Sequence, residues 1–173
     1  MAKLKRSNEH QTFSDIARLF EERKAALRSF CVPGNGYFVQ YSKKEVMERL
    51  SQHLHEAEYD ASLALLAAME AALRLDFDTR DRKRLKDSRS QAARQLAKTV
   101  KGVHFRIPIG ELCDLFAIDR SVPNHVISKL KICFNYRHWL AHGRYWQLKQ
   151  LQVKPTFSVI FQLAQTIKGA LIS

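Results

Sequence analysis

Toward the C-terminal end of the chain, the segment NHVISKLKICFNYRHWLAHG places an arginine and two histidines, Arg137, His138 and His142, just before Gly143. Ile127, Leu130, Phe134, Arg137 and Ala141 follow one another at spacings of three and four. That is the pattern of the buried stripe of an amphipathic helix, so Arg137 is expected to interrupt the stripe. A guanidinium keeps its charge when desolvated, and such a position calls for a carboxylate, a phosphate or a water-lined cleft. On an ideal helix the three side chains span a sector of about 140°, which suits one wall of a cleft. A second copy of the helix, related by a two-fold axis, would supply the other wall, and this predicts a homodimer.

These residue types suit one chemistry in particular. RNA carries its own nucleophile, the 2′-hydroxyl, so strand cleavage does not require a metal. An imidazole titrating near neutrality takes the 2′-proton or protonates the leaving 5′-oxygen, and a guanidinium stabilises charge on the phosphorane oxygens. The expected product is a 2′,3′-cyclic phosphate. Spacing alone does not identify such a site, because Arg120 and His125 also lie five apart. That pair spans Ser121-Val122-Pro123, a helix entrance, and lacks the polar second residue and the following glycine.

Two other readings of the same residues stay open. His138 and His142, at i and i+4, could ligate zinc from one helix face, although Cys133 falls on a different face and no third ligand has matching spacing. Alternatively the group is structural, with His142 bonding helix-end carbonyls and Arg137 bridging to Glu70. Glu70 itself either faces solvent or pairs with a buried cation such as Arg137. The aromatic residues Tyr136, Trp139, Tyr145 and Trp146 surround the motif and suit either base stacking or a core. Arg144, Lys131 and Lys149 are candidate phosphate contacts.

The bulk properties set the frame. At 173 residues, with 46% hydrophobic and 27% charged residues, the chain is long enough for one domain with its own core. A net charge of +12 points to polyanionic partners, nucleic acid first and anionic membrane surfaces second. No apolar run approaches the roughly 20 residues needed to cross a bilayer. The basic, polar start MAKLKRSNEH is followed by no apolar stretch of the secretory kind, so a cytoplasmic location is expected. Cys31, Cys113 and Cys133 form no CxxC pair and are expected to be buried free thiols. With six glycines in all and no GxxxxGK[ST] pattern there is no phosphate-cradling loop, and nothing points to serine or cysteine catalysis.

Periodicity supplies the elements that must hold the site. Ser14 to Phe30 reads as a helix with Thr12 or Ser14 as N-cap, ended by Val32-Pro33-Gly34-Asn35-Gly36. This break is expected to separate an N-terminal helical arm, residues 1–42, from a main domain, residues 43–173. From Ser42 a long helical pattern runs to about Leu75, and its stretch ASLALLAAMEAALRL is apolar nearly all round, as a central bundle helix is. Residues 79–101 begin with the run Thr79-Arg80-Asp81-Arg82-Lys83-Arg84, expected to be solvated, and turn amphipathic near Ala92. Gly102 to Ile107 has the composition of an extended connector. A short helix from Pro108 to Ile118 follows, and Ser121 and Pro123 open the helix that ends at Gly143. Past Pro155 comes a final helix with Phe157, Ile160, Phe161, Ala164, Ile167 and Leu171 as its apolar face. The expected fold is all-α, an up-and-down bundle of about four or five helices with the N-terminal extension.

The stretch NYRHWLAHGRYW, following a long Ala/Leu-rich helix that contains one glutamate, resembles the HEPN superfamily. That family's motif is an arginine, a polar residue, a few further residues and a histidine, matched here by Arg137, His138 and His142. The resemblance covers roughly residues 43–172. It implies a homodimer with a shared cleft and, in catalytic members, a metal-independent endoribonuclease serving toxin-antitoxin, phage-defence or RNA-processing systems. The family also holds members that bind RNA, nucleotides or proteins without turnover. On this reading Arg137, His142 and His138 are catalytic, Glu70 and Asn135 support them, and Arg144, Lys131 and Tyr145 contact the substrate. RNA and an antitoxin protein are the implied partners, with no metal, other cofactor or membrane.

Overall fold

The computed structural model describes residues 10–99, 107–144 and 154–172, and among these the regular elements are all helices. Six α-helices follow one another: α1 (Phe13–Phe30), α2 (Lys43–Lys83), α3 (Ser88–Thr99), α4 (Ile109–Ile118), α5 (Asn124–Ala141) and α6 (Phe157–Ala170). The all-α bundle expected from periodicity is what forms.

Local chemistry sets the boundaries. Thr12 caps α1 and Ser42 caps α2, each in a reciprocal capping box closed by the acid three residues on, Asp15 and Glu45. Between them the chain turns through Gly34, whose φ of 93° is open to glycine at little cost, into a short 3-10 turn at Gly36–Phe38. The α5 helix closes on Gly143, φ 75°, whose N–H donates to the carbonyl of Leu140. Glu58 on α2 accepts the N–H of Phe157 at 2.9 Å, which caps the start of α6 from a neighbouring helix.

The 41-residue α2 is the spine, and it touches each of the other five helices. Leu65, Leu66 and Met69 in its apolar half are completely buried, at the centre of a core shared with α1, α4, α5 and α6. The α1 helix belongs to that core: Phe13, Ile16 and Phe20 are buried, and the Phe20 ring lies 4.6 Å from that of Phe157. A second cluster gathers Phe77, Ala93, Ala97, Ile107, Leu112 and Leu115 between α2, α3 and α4. Cys31, Cys113 and Cys133 are buried free thiols, and burial pushes the last two up to about 12 and about 11.

Two expectations need correction. The spine does not stop near Leu75 but continues to Lys83, and the basic run that forms its end is solvated only in part: Arg82, Lys83 and Arg84 are exposed, whereas Arg80 is buried. Asp76 and Asp78 each sit four residues before an arginine, Arg80 and Arg82, the favourable orientation for helix ion pairs. These pairs, together with buried Phe77, carry the helix two turns further. Arg80 is buried with its Nε 2.7 Å from Asp76, while its Nη1 donates to Asp87 and Ser90 at 3.1 Å each. Asp76 also accepts the N–H of Ile172. Arg89 is likewise buried: it pairs with Asp119 at 3.1 Å, donates to Ser121 and to the carbonyl of Ala170, and lies 4.3 Å over the Phe116 ring. Two arginines thus tie α2, α3, the α4–α5 connection and the end of α6 together. Of the expected connector only Ile107 is described, and Gly102 to Arg106 lie outside the described residues.

Removing one partner from a buried ion pair strands the other. Arg80→Leu is therefore expected to lower unfolding free energy by about 3 kcal/mol in urea titration; a loss under about 0.5 kcal/mol would show the network to be surface-like.

Candidate functional site

The end of α5 carries the candidate residues, and its buried arc is wider than one stripe. Leu130, Cys133, Phe134, Tyr136, Trp139 and Leu140 are all buried, whereas Ala141 is exposed. The expected stripe through Arg137 and Ala141 is thus displaced, because α5 packs against α2, α4 and α6 together and turns the 133-136-140 side inward. Arg137 borders this core rather than interrupting it, and its side chain keeps 37% of its exposure. The guanidinium is at once held and accessible.

What holds it is Glu70. The Nη2 of Arg137 lies 3.3 Å from Oε2 of Glu70, across the α2–α5 contact. The other oxygen, Oε1, accepts both Nε and Nη2 of Arg74 at 3.0 and 2.8 Å. Arg74 in turn donates Nη1 to the carbonyl of Ile107 at 3.2 Å. One carboxylate therefore faces two guanidiniums, which among the described residues leaves one positive charge in excess. The Nε of Arg137 is buried and has no hydrogen-bond acceptor among the described residues. Arg74 was not singled out in the sequence, although its place four residues after Glu70 was a visible signal.

His138 and His142 stand on the outer side of the same helix end, both exposed, with ring centroids 4.3 Å apart and planes tilted by 56°. The N–H of His142 donates to the carbonyl of His138. Asn135 is exposed one turn earlier. Among the described residues no group of three or more His, Cys, Asp or Glu is arranged to hold a metal ion.

The other candidates separate. Arg144 is clamped by Glu56 through two bonds of 2.9 Å and lies 4.9 Å over the Tyr59 ring. The Glu56 hydrogen bonds raise the Arg144 pKa, and Arg144 holds the Glu56 carboxyl below its usual range. Lys131, in the middle of α5, pairs with Asp114 on α4 at 2.6 Å. Tyr136 and Trp139 are buried and stacked 5.7 Å apart, so both are core residues and not base-stacking surfaces. Tyr145, Trp146 and Lys149 lie outside the described residues. No helix among the described residues is long and apolar enough to cross a membrane.

Comparison of the chain with protein-family models, with curated proteins and with solved structures finds no match. The assignment of the site therefore stands on its geometry and on the motif.

The geometry separates support from function. Glu70→Ala leaves two half-buried guanidiniums without their carboxylate and is expected to cost about 2 kcal/mol of stability. Arg137→Ala removes a partly exposed side chain and is expected to cost less than about 1 kcal/mol. Chemical denaturation of both variants checks this, and Arg137→Ala being the more damaging would make that arginine a structural element first.

Proposed function

We propose that this protein is a HEPN-like, metal-independent endoribonuclease, with Arg137 and His142 in the central roles and His138 assisting. The observation that carries the reading is the Arg137 side chain, held at the bundle edge by Glu70 yet 37% exposed, on the helix end that also presents two exposed imidazoles. A group serving only to balance Glu70 would be redundant there, since Arg74 already makes two hydrogen bonds to that carboxylate.

In this mechanism an imidazole accepts the proton of the 2′-hydroxyl as that oxygen attacks the adjacent phosphorus. The bond to the 5′-oxygen breaks, and a protonated imidazole delivers a proton to it. Arg137 lies against the nonbridging oxygens, where negative charge builds. The products are a 2′,3′-cyclic phosphate and a 5′-hydroxyl. A second copy of the chain, brought to the same cleft by two-fold symmetry, would let base and acid come from different protomers. Net charge of +12 favours encounter with RNA. A toxin-antitoxin, phage-defence or RNA-processing role, with an antitoxin partner in the first case, belongs to the same proposal.

The ion pair between Arg137 and Glu70 also favours a second reading, in which the arginine is a fastener between α2 and α5 and the protein binds RNA or a partner without turnover. Incubation of purified protein with mixed RNA in chelator separates the two. Cleavage is expected, with a loss of about 100-fold or more in both His142→Ala and Arg137→Ala; equal RNA integrity in wild type and His142→Ala would refute the nuclease.

A further inference from the structure

The tip of the α1–α2 hairpin is an aromatic surface that the proposed cleavage does not use. Phe38 is buried on Cys31 and Val46, and around it Phe30, Tyr37 and Tyr41 keep 43%, 67% and 37% of their exposure. Ring centroids stand 5.3 Å apart for Phe30 and Tyr37, 5.0 Å for Tyr37 and Phe38, and 5.8 Å for Phe38 and Tyr41. The rings are therefore fixed before any ligand arrives, and little ordering cost remains to be met on binding.

Cations flank the rings. The Arg49 guanidinium lies 4.5 Å over Tyr41 and donates to its hydroxyl at 3.1 Å. Lys43 is exposed, and among the described residues neither it nor Arg28 pairs with a carboxylate. Arg49, His53 and Glu56 then follow at spacings of four and three along one side of α2. Beside Glu56 stands the Tyr59 ring, with Arg144 at 4.9 Å and Lys154 at 5.6 Å. From Arg49 to Tyr59 this row covers about 15 Å of helix and runs from the hairpin tip to the end of α5.

A cluster of rings flanked by cations matches a ligand that offers flat apolar faces and negative charges. An apolar protein surface would use the rings and leave the cations, whereas a polyanion with flat bases uses both, and net charge of +12 favours it. We propose that this row is a track for single-stranded nucleic acid, with unpaired bases stacking on Phe30, Tyr37 and Tyr41 and phosphates held by Lys43, Arg49 and Lys154. The inference rests on the ribonuclease reading for the strand being RNA at its α5 end. Stacking and phosphate contacts themselves require no cleavage.

The test uses the full-length protein and a fluorescent oligothymidylate of about 20 nucleotides, which spans the row and, lacking 2′-hydroxyls, survives the proposed reaction. Affinity is read by anisotropy. Tyr37→Leu combined with Tyr41→Leu keeps apolar area but removes two π-faces, and about tenfold or greater weakening is expected with an unchanged melting temperature. Lys43→Gln with Arg49→Gln is expected to flatten the dependence of log Kd on log salt by about 0.7 for each lost contact. Affinity within about twofold of wild type in both double variants would overturn the track, as would equal binding of a duplex or a loss confined to self-association. His142→Ala should bind oligothymidylate like wild type, so failure of cleavage and failure of the track are told apart.

Discussion

One carboxylate shared by two guanidiniums is the contact on which the candidate chemistry depends. Glu70 lies on the spine helix among side chains that are otherwise apolar, and burial of an unpaired carboxylate there would be costly. Arg74 on the same helix satisfies one oxygen, and Arg137 reaches the other from α5. The result fixes the α2–α5 register at this point and leaves a positive charge in excess at the edge of the core. An arginine in that position is pre-oriented without being consumed by its partner, which is what binding a phosphate oxygen requires.

The same spine organises the rest of the molecule by repeating the solution at a second level. Two turns beyond Glu70, Asp76 and Arg80 form a pair with both side chains only 5% exposed, extended by Asp87, Ser90 and the backbone of Ile172. Arg89 joins α3 to the α4–α5 connection and to the end of α6. One end of the bundle is therefore closed by buried charge, while the other presents exposed rings with the cations Lys43 and Arg49 beside them. Net positive charge is divided accordingly, part of it neutralised inside and part left facing solvent.

Much of this was legible in the sequence because it rests on local rules. Helical periodicity located the helices, Thr12 was one of two candidate caps for α1, and Gly143 marked the end of α5. The pairing of Glu70 with Arg137 is one of two readings left open by the sequence, and the cost of burying either alone is what favours it. The rest depends on which helices meet. DFDTRDRK reads as solvent-facing, yet pairing at i and i+4 draws Asp76, Asp78 and Arg80 inside while Arg82 and Lys83 stay exposed. Tyr136 and Trp139 carry polar atoms that suit a ligand surface, yet the breadth of the α5 contact draws both inside. The row of rings and cations along α2 joins residues more than one hundred positions apart, Arg49 and Lys154 among them, and no window of sequence displays it.

The central claim is that the strand is cut by its own 2′-hydroxyl with protein side chains as the only catalysts, and the chemistry of the product ends tests it most directly. Mass spectrometry of RNA fragments formed in chelator is predicted to show a 2′,3′-cyclic phosphate on one side of each cut and a 5′-hydroxyl on the other. Fragments ending in a 3′-hydroxyl and a 5′-phosphate, the signature of attack by water, would contradict the account.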